Sequence, residues 1–234
     1  SFTLRRDGSS RLGPNNRWGT FPAIGAGWRL SQEGFLAGSD FFTNVMLRFG
    51  WGITGNQNIP TGRVVNQFGG ALGDVFYDIG GTNTLVRGFR QTALGNPDLK
   101  WEENKSVNLG LDLEFAGKLN LTVDVYQRET DNLLFNPPQP ATAGVALAPI
   151  QNVGMMRNRG IDVSLGYRGS LGDDVLWNVN FNGSHYRNKI LRIDVVQQFF
   201  FGPISTRFGN QVINQVGYPI GSFYGYVAEG FYAD

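Results

Sequence analysis

The sequence predicts an all-β fold: an antiparallel up-and-down transmembrane β-barrel segment of about seven long strands with long extracellular loops. Three observations predict it: a composition rich in glycine and aromatic residues, long stretches of alternating apolar and polar residues, and alternately long and short connections. The chain of 234 residues contains 33 glycines, and aromatic residues make up 13% of it. Since glycine is usually ~7% of a chain, this composition favours strands joined by many tight turns.

The first three strands are predicted at 1–5, 18–30 and 43–53. In each of them apolar side chains recur at every second position, the period at which successive side chains of a strand point to opposite faces. The apolar positions are Phe2, Leu4, Ile24, Ala26, Trp28, Leu30, Val45, Leu47, Phe49, Trp51 and Ile53.

The next two strands, 105–115 and 119–128, show the clearest alternation and are separated by three residues. They predict a β-hairpin. In its simplest register Leu113 faces Leu121, Leu111 faces Val123 and Leu109 faces Val125, so that one face of the hairpin is continuously apolar. A second hairpin is predicted by the same period at 159–168 and 175–186.

Strand length and connection length separate a membrane barrel from a soluble sandwich, since alternation alone fits both. The length of the strand 105–115 matches the ~9 to 11 residues needed to cross a bilayer and is roughly twice the length of the usual globular strand. Long connections alternate with shorter ones, so the long ones meet at one end of the sheet, as in outer-membrane barrels, where they are extracellular. The connections are 6–17, 31–42, 54–103, 116–118, 129–158, 169–174 and 187 to the end.

Four tryptophans are predicted to form the aromatic girdles at the two membrane boundaries: Trp18, Trp28, Trp51 and Trp177. Trp18 and Trp28 have the same parity and therefore share a face. The ten residue steps from Trp18 to Trp28 span about 33 Å along the strand, which a tilt of 40 to 45° reduces to roughly 23 to 25 Å across the membrane. That distance matches the expected spacing of two girdles.

Composition and motifs exclude several other functions. A formal charge of +1 gives no case for nucleic-acid binding. The absence of cysteine and the single His185 disfavour thiolate or histidine metal sites and catalytic triads. The glycines and arginines of 5–30 form neither GxxxxGK[ST] nor GxGxxG, so a phosphate-binding loop is not predicted. We therefore expect no catalytic residue, no metal, no cofactor and no enzymatic activity.

Phe199, Phe200 and Phe201 are candidate contacts to a ligand or a lid protein, because they lie in the last long loop. Packing of this loop onto itself also explains the three rings and is the preferred interpretation.

Five segments follow one another along the chain in the order of a known family: "RRDGSSRLGPNNRWGTFPAIGAGWRLSQEGFL", "LRFGWGITGNQNIP", "GNPDLKWEENKSVNLGLDLEF", "NVGMMRNRGID" and "GYPIGSFYGYVAEGFY". Together they resemble the SusC/RagA-type TonB-dependent transporters of Bacteroidetes-like outer membranes. The resemblance runs through the whole chain.

The resemblance implies a barrel of about 22 strands, plugged by an N-terminal domain, in the outer membrane of a Gram-negative, Bacteroidetes-like bacterium. Such a barrel imports oligosaccharides or peptides with energy from the TonB system, beneath a SusD-like lipoprotein lid. Residues 1–234 would be a partial barrel. The signal peptide, the plug and the TonB-contacting segment are expected to be absent from this fragment.

Two functions are compatible with the sequence. The first is part of the wall and extracellular loops of a nutrient importer that contacts the lipid bilayer and a glycan or peptide substrate. The second is a truncated transporter-like chain that acts as an adhesin or as an accessory structural subunit of a membrane assembly. Strand length, girdle spacing and the family segments favour the first, whereas the missing plug and strands motivate the second.

Overall fold

The computed structural model describes residues 1–69, 76–78, 80–81, 84–135, 144, 146–172, 174–194, 198–202, 205–227 and 230. Two helical segments of the 3-10 type lie at Pro14–Asn16 and Leu30–Gln32. The described part of the chain contains no helix with the length and apolar character needed to cross a membrane. Its strands are β1 (Phe2–Gly8), β2 (Trp18–Arg29), β3 (Phe42–Asn56), β4 (Gln67–Gly69), β5 (Phe76–Asp78), β6 (Leu85–Arg87), β7 (Arg90–Ala93), β8 (Glu102–Phe115), β9 (Leu119–Asp131), β10 (Leu134–Phe135), β11 (Gln151–Asn152), β12 (Met155–Leu171), β13 (Val175–Arg192), β14 (Phe199–Phe201), β15 (Val212–Gln215) and β16 (Ser222–Phe223).

The seven long strands form one sheet in the order β1-β2-β3-β8-β9-β12-β13. Every neighbouring pair is antiparallel. Since this order follows the chain, the sheet is an up-and-down meander, and the predicted all-β, antiparallel fold class is confirmed. Within the described residues the sheet does not close on itself, and β1 and β13 are its edges.

The connections of the sheet divide into two groups. At the turn end lie 30–41, 116–118 and 172–174, and at the loop end lie 9–17, 57–101 and 132–154. The connections 57–101 and 132–154 contain three small sheets, which pair β4 with β7, β5 with β6, and β10 with β11, and a fourth small sheet of β14, β15 and β16 follows β13. The two longest connections, 57–101 and 132–154, therefore lie at the same end of the sheet, as the sequence predicts, whereas 30–41 at the turn end is longer than 9–17 at the loop end.

Several strands extend further toward the loop end than the segments predicted from alternation. β12 contains 17 residues and starts at Met155, and β13 contains 18 residues and ends at Arg192. The added residues include charged side chains on the otherwise apolar face, such as Arg157 and Lys189, and these interrupt the apolar periodicity on which the prediction depends.

The β8–β9 hairpin has the predicted register, with Leu109 opposite Val125, Leu111 opposite Val123 and Leu113 opposite Leu121. Its turn contains two left-handed residues, Ala116 at φ 48° and Gly117 at φ 66°. Glycine adopts this conformation without steric cost, whereas alanine does not. The turn fixes the register, and the register keeps the apolar residues of both strands on one face.

The buried core lies at the loop end and not on a face of the sheet. Six apolar residues from β2 and three connections pack together there: Leu12, Phe21, Ile59, Leu99, Trp101 and Ile150. The rings of Phe21 and Trp101 meet edge to face, with centroids 5.3 Å apart. A Cβ at Gly13 would overlap the Pro97 carbonyl oxygen, so glycine permits this close approach of two connections. The long connections are thus held as one packed unit.

Candidate functional site: a wall with an apolar and a polar face

The apolar face of the sheet is formed by alternate residues of every long strand. In one row across five strands, Trp28 pairs with Leu47, Leu47 with Leu111, Leu111 with Val123, and Val123 with Val163. Large side chains of this face are exposed, for example Phe2 at 67% and Phe181 at 62%. An apolar surface that extends across a whole sheet is far larger than soluble monomers leave in water, so it requires an apolar medium.

The predicted girdle tryptophans all lie on this face, but at different heights. Trp18 is the first residue of β2, at the loop end. Trp28 lies beside the last residue of the same strand, and its indole N–H donates to Glu33 Oε1 at 2.8 Å. Trp177 is close to the start of β13, also at the turn end, with its ring 5.2 Å from that of Tyr167.

Trp51 is placed differently from the other three. It lies in the interior of β3, opposite Ile24 on one side and Val107 on the other. Its two cross-strand neighbours are thus aliphatic side chains of the apolar face.

Sequence reasoning missed an aromatic cluster at the turn end. Phe41, Phe42 and Phe115 pack together with ring centroids 5.0 to 5.4 Å apart. Phe42 is opposite Phe115 across the β3–β8 pair. These rings continue the line of Trp28 and Trp177 along the turn end. The signal in the sequence was weak, because Phe41 and Phe42 are adjacent and do not alternate.

The polar face carries one well-ordered ionic network. The Arg48 guanidinium donates from Nε to Asp112 Oδ2 at 2.6 Å and from Nη2 to Asp112 Oδ1 at 3.0 Å. Nη2 also donates to Asp124 Oδ2 at 3.0 Å, and the Thr122 hydroxyl donates to Asp112 Oδ1 at 3.0 Å. One cation therefore connects the three neighbouring strands β3, β8 and β9 through charge-assisted hydrogen bonds.

Gly110 makes this network possible. It is paired with Arg48 in β3 and with Asp124 in β9, so it lies between the two charged side chains. A Cβ at this position would come within 2.6 Å of both Arg48 Cζ and Asp124 Oδ1. The guanidinium crosses the strand over a residue that has no side chain.

The three candidate loop phenylalanines form β14 and are half-buried. Phe200 stacks on Phe135 of another connection with centroids 4.4 Å apart, and Phe201 packs 5.1 Å from Tyr224. Phe199 meets Phe201 edge to face at 5.6 Å. Each of the three rings therefore contacts another aromatic ring of the loop segments.

The described residues contain no group of three or more His, Cys, Asp or Glu side chains arranged to hold a metal ion. His185 lies on β13 opposite Ile161, exposed at the boundary of the apolar face. The site is thus the sheet itself, with an exposed apolar face and a polar face that carries the Arg48 network.

Comparisons with known proteins agree with this geometry. Residues 1–232 match the family model described as "TonB dependent receptor-like, beta-barrel". The TonB-dependent receptor P39 of Formosa agariphila is 36% identical over 217 residues, which cover 92% of this chain and 20% of that protein. The TonB-dependent receptor SusC of Bacteroides thetaiotaomicron is 33% identical over 241 residues, which cover 97% of this chain and 23% of that protein.

A solved structure of the RagAB peptide importer in its "closed-closed" state superposes with a TM-score of 0.81 and 28% sequence identity. The match covers 95% of this chain and 23% of that chain. The chain thus spans about a fifth of the length of the curated relatives it matches.

Proposed function

The chain belongs to the TonB-dependent receptor-like β-barrel family, and we propose that it forms part of the wall and extracellular loops of an outer-membrane importer of large nutrients. The observation that carries this proposal is the two-faced sheet. Its apolar face is exposed across all seven long strands, while the face one residue away carries the Arg48 network. Only a wall with lipid on one side and water on the other gives both faces a matching solvent.

The dimensions of the sheet support this orientation. β8 and β9 contain 14 and 13 residues, which is more than the ~9 to 11 that cross a bilayer at a tilt near 45°. The apolar face contacts the bilayer, with Trp18 at the outer boundary and Trp28 and Trp177 at the inner one. Trp51, the fourth girdle candidate, is assigned to the band between them.

The long connections are extracellular in this orientation, and the short turns face the periplasm. The packed unit of Leu12, Phe21, Ile59, Leu99, Trp101 and Ile150 then stands above the outer membrane surface. A rigid unit at this position suits the rim of a barrel that receives cargo, because loops carry most binding residues and need a firm support. Phe199, Phe200 and Phe201 remain candidate contacts of this rim, and their packing in the loops makes them supports for neighbouring side chains.

The cargo is proposed to be an oligosaccharide or a peptide. Support comes from the similarity to the RagAB peptide importer and to SusC. A SusD-like lipoprotein lid and the TonB system are proposed partners, the latter through segments outside these 234 residues. The polar face contributes hydroxyl, amide and charged groups to the lumen, as the Arg48, Asp112 and Thr122 side chains illustrate.

The alternative role as an adhesin or accessory subunit depends on segments outside this chain. No contact among the described residues favours it.

Uptake by intact cells tests the proposal. Cells with and without the full-length protein would be given fluorescent oligopeptides and oligosaccharides, and internal fluorescence would be measured before and after dissipation of the proton-motive force. We expect uptake of one of the two classes that needs both the protein and the force. Equal uptake with and without the protein for both classes would contradict an importer.

A further inference from the structure

The apolar face ends at the loop end in a group of four basic side chains, here called the basic rim: Arg157 and Arg159 on β12, and Arg187 and Lys189 on β13. The register pairs Arg157 with Lys189 and Arg159 with Arg187 directly across the two strands. The next pair on the same face, Ile161 and His185, begins the apolar surface. The basic rim is therefore continuous with the lipid-facing surface.

Like charges directly opposite each other destabilise a sheet, so two such pairs in succession need an explanation. Arg157 is paired with Glu129, with Nε and Oε1 2.6 Å apart. Arg159 donates from Nε to the neutral Gln127 Oε1 at 2.6 Å. Arg187 and Lys189 are exposed, and neither has an acidic partner among the described residues. Four cations thus share one carboxylate, and the excess positive charge faces outward.

Strands β8 and β9 carry no comparable excess of positive charge on this face. On the neighbouring strands at the same end, Lys105 Nζ lies 3.5 Å from Glu103 Oε2 and 3.7 Å from Asp131 Oδ2. That cation is therefore balanced by two carboxylates. A further strand that pairs with the free edge of β13 would use its backbone groups and leave the outward side chains of the basic rim where they are.

An open depression of about 770 Å³ lies directly at the basic rim. The part nearer the middle of the sheet is lined by Val107, Leu109, Val125 and Ile161. The part nearer the loop end is lined by Arg159 and Arg187. Such a shape, apolar below and cationic above, complements a molecule with an anionic head and hydrocarbon chains. Arginine suits a phosphate head in particular, because its guanidinium donates two parallel hydrogen bonds to phosphate oxygens.

We propose that the basic rim binds the phosphate-bearing headgroup of an outer-leaflet lipid, whose hydrocarbon chains lie in the depression beneath. This inference rests on the proposed membrane placement of the apolar face. The bound phosphate neutralises the two like-charged pairs, and each basic residue near the membrane surface adds to the affinity for anionic lipid.

The test uses the full-length protein in a neutral detergent and native mass spectrometry to count bound lipids. The probes are dioleoyl phosphatidic acid and dioleoylglycerol, which differ only in the phosphate. The variant is R187Q/K189Q, and its matched control is R128Q/R168Q, which removes two exposed arginines from the polar face of the same sheet. Circular dichroism checks that both variants remain folded.

We expect the wild type to prefer phosphatidic acid, and R187Q/K189Q to lower its affinity for that lipid by about tenfold or more. The control should stay within about twofold of the wild type, since its charges face the lumen. Equal binding of the two lipids by the wild type, or equal losses in the two variants, would overturn the inference. Displacement of the lipid by inorganic phosphate at the same concentration would assign a free-phosphate site and overturn it as well. Failure of the proposed function would instead appear as loss of lipid contact at Val163, which spin labelling measures independently.

Discussion

Two faces of the same three strands, separated by one residue, differ completely in what stabilises them. On the apolar face Leu47, Leu111 and Val123 lie side by side across β3, β8 and β9. On the polar face the next row contains Arg48 and Asp124 on either side of Gly110. The strand register therefore determines which face of the sheet meets the membrane, because a slip of one residue would place the guanidinium in lipid and leucine in water.

The largest expected effect comes from a charge on the apolar face. Val163→Arg on β12 would place a guanidinium against hydrocarbon and is expected to cost about 2 to 4 kcal/mol of unfolding free energy near the bilayer midplane. Ser164→Arg, one residue away on the polar face, should cost less than about 1 kcal/mol, because water solvates it. Urea unfolding of the full-length protein in lipid vesicles measures both, and equal costs would refute the assignment of the faces.

A smaller effect is expected where the polar network crosses Gly110. Gly110→Ala forces the Arg48 guanidinium and the Asp124 carboxylate to move apart and is expected to cost about 1 to 3 kcal/mol. Gly50→Ala is the matched control, since a Cβ at Gly50 meets no atom within 4 Å. The same unfolding measurement tests this pair. A cost for Gly50→Ala as large as that for Gly110→Ala would mean that strand glycines matter for backbone reasons alone.

Removing one acid from the network should have a modest effect. Asp112→Asn keeps the shape but removes the charge and replaces one of the two oxygens that accept from Arg48 by an amide NH2 group, and we expect a loss below about 1 kcal/mol, since the Arg48 and Asp112 side chains are 36% and 28% exposed. Glu114→Gln on the same strand belongs to no ion pair of the described residues and should change nothing measurable. High salt should reduce the difference between the two variants, and a salt-independent difference would argue against an electrostatic origin.

The smallest effect concerns the tryptophans of the apolar face. Trp51→Leu should change the unfolding free energy by less than about 0.5 kcal/mol, because leucine suits the hydrocarbon as well as tryptophan does. Trp28→Leu should cost about 1 kcal/mol, because it removes the indole hydrogen bond to Glu33 and an anchor at the boundary. A larger loss of unfolding free energy for Trp51→Leu than for Trp28→Leu would indicate that Trp51 belongs to a girdle.

The sequence was sufficient for the features that depend on a period of two. Alternation between 105 and 128 predicts which residues share a face, and the three-residue turn then fixes the pairing of Leu111 with Val123. The number of long strands and their meander order follow from the same pattern. Each of these features is encoded locally, within one strand or one hairpin.

The features that depend on distant residues could not be predicted in this way. The Arg48 network joins strands that are far apart in sequence, and nothing near Arg48 identifies Asp112 as its partner. The core at the loop end draws Leu12, Ile59 and Ile150 from three separate connections that show no periodicity. The loop ends of β12 and β13 were missed because charged residues there break the apolar pattern.

Site-directed spin labelling along β12 tests most directly whether lipid and water lie on opposite faces of the sheet. Single cysteines at Asp162, Val163, Ser164 and Leu165, in a cysteine-free form of the full-length protein, would carry nitroxides in lipid bilayers, and collisions with oxygen and with a water-soluble nickel chelate would be measured. The account predicts a period of two, with Val163 and Leu165 accessible to oxygen in the lipid and Asp162 and Ser164 accessible to the chelate in the lumen. Equal access of the chelate to all four positions would place water on both faces and contradict a membrane wall.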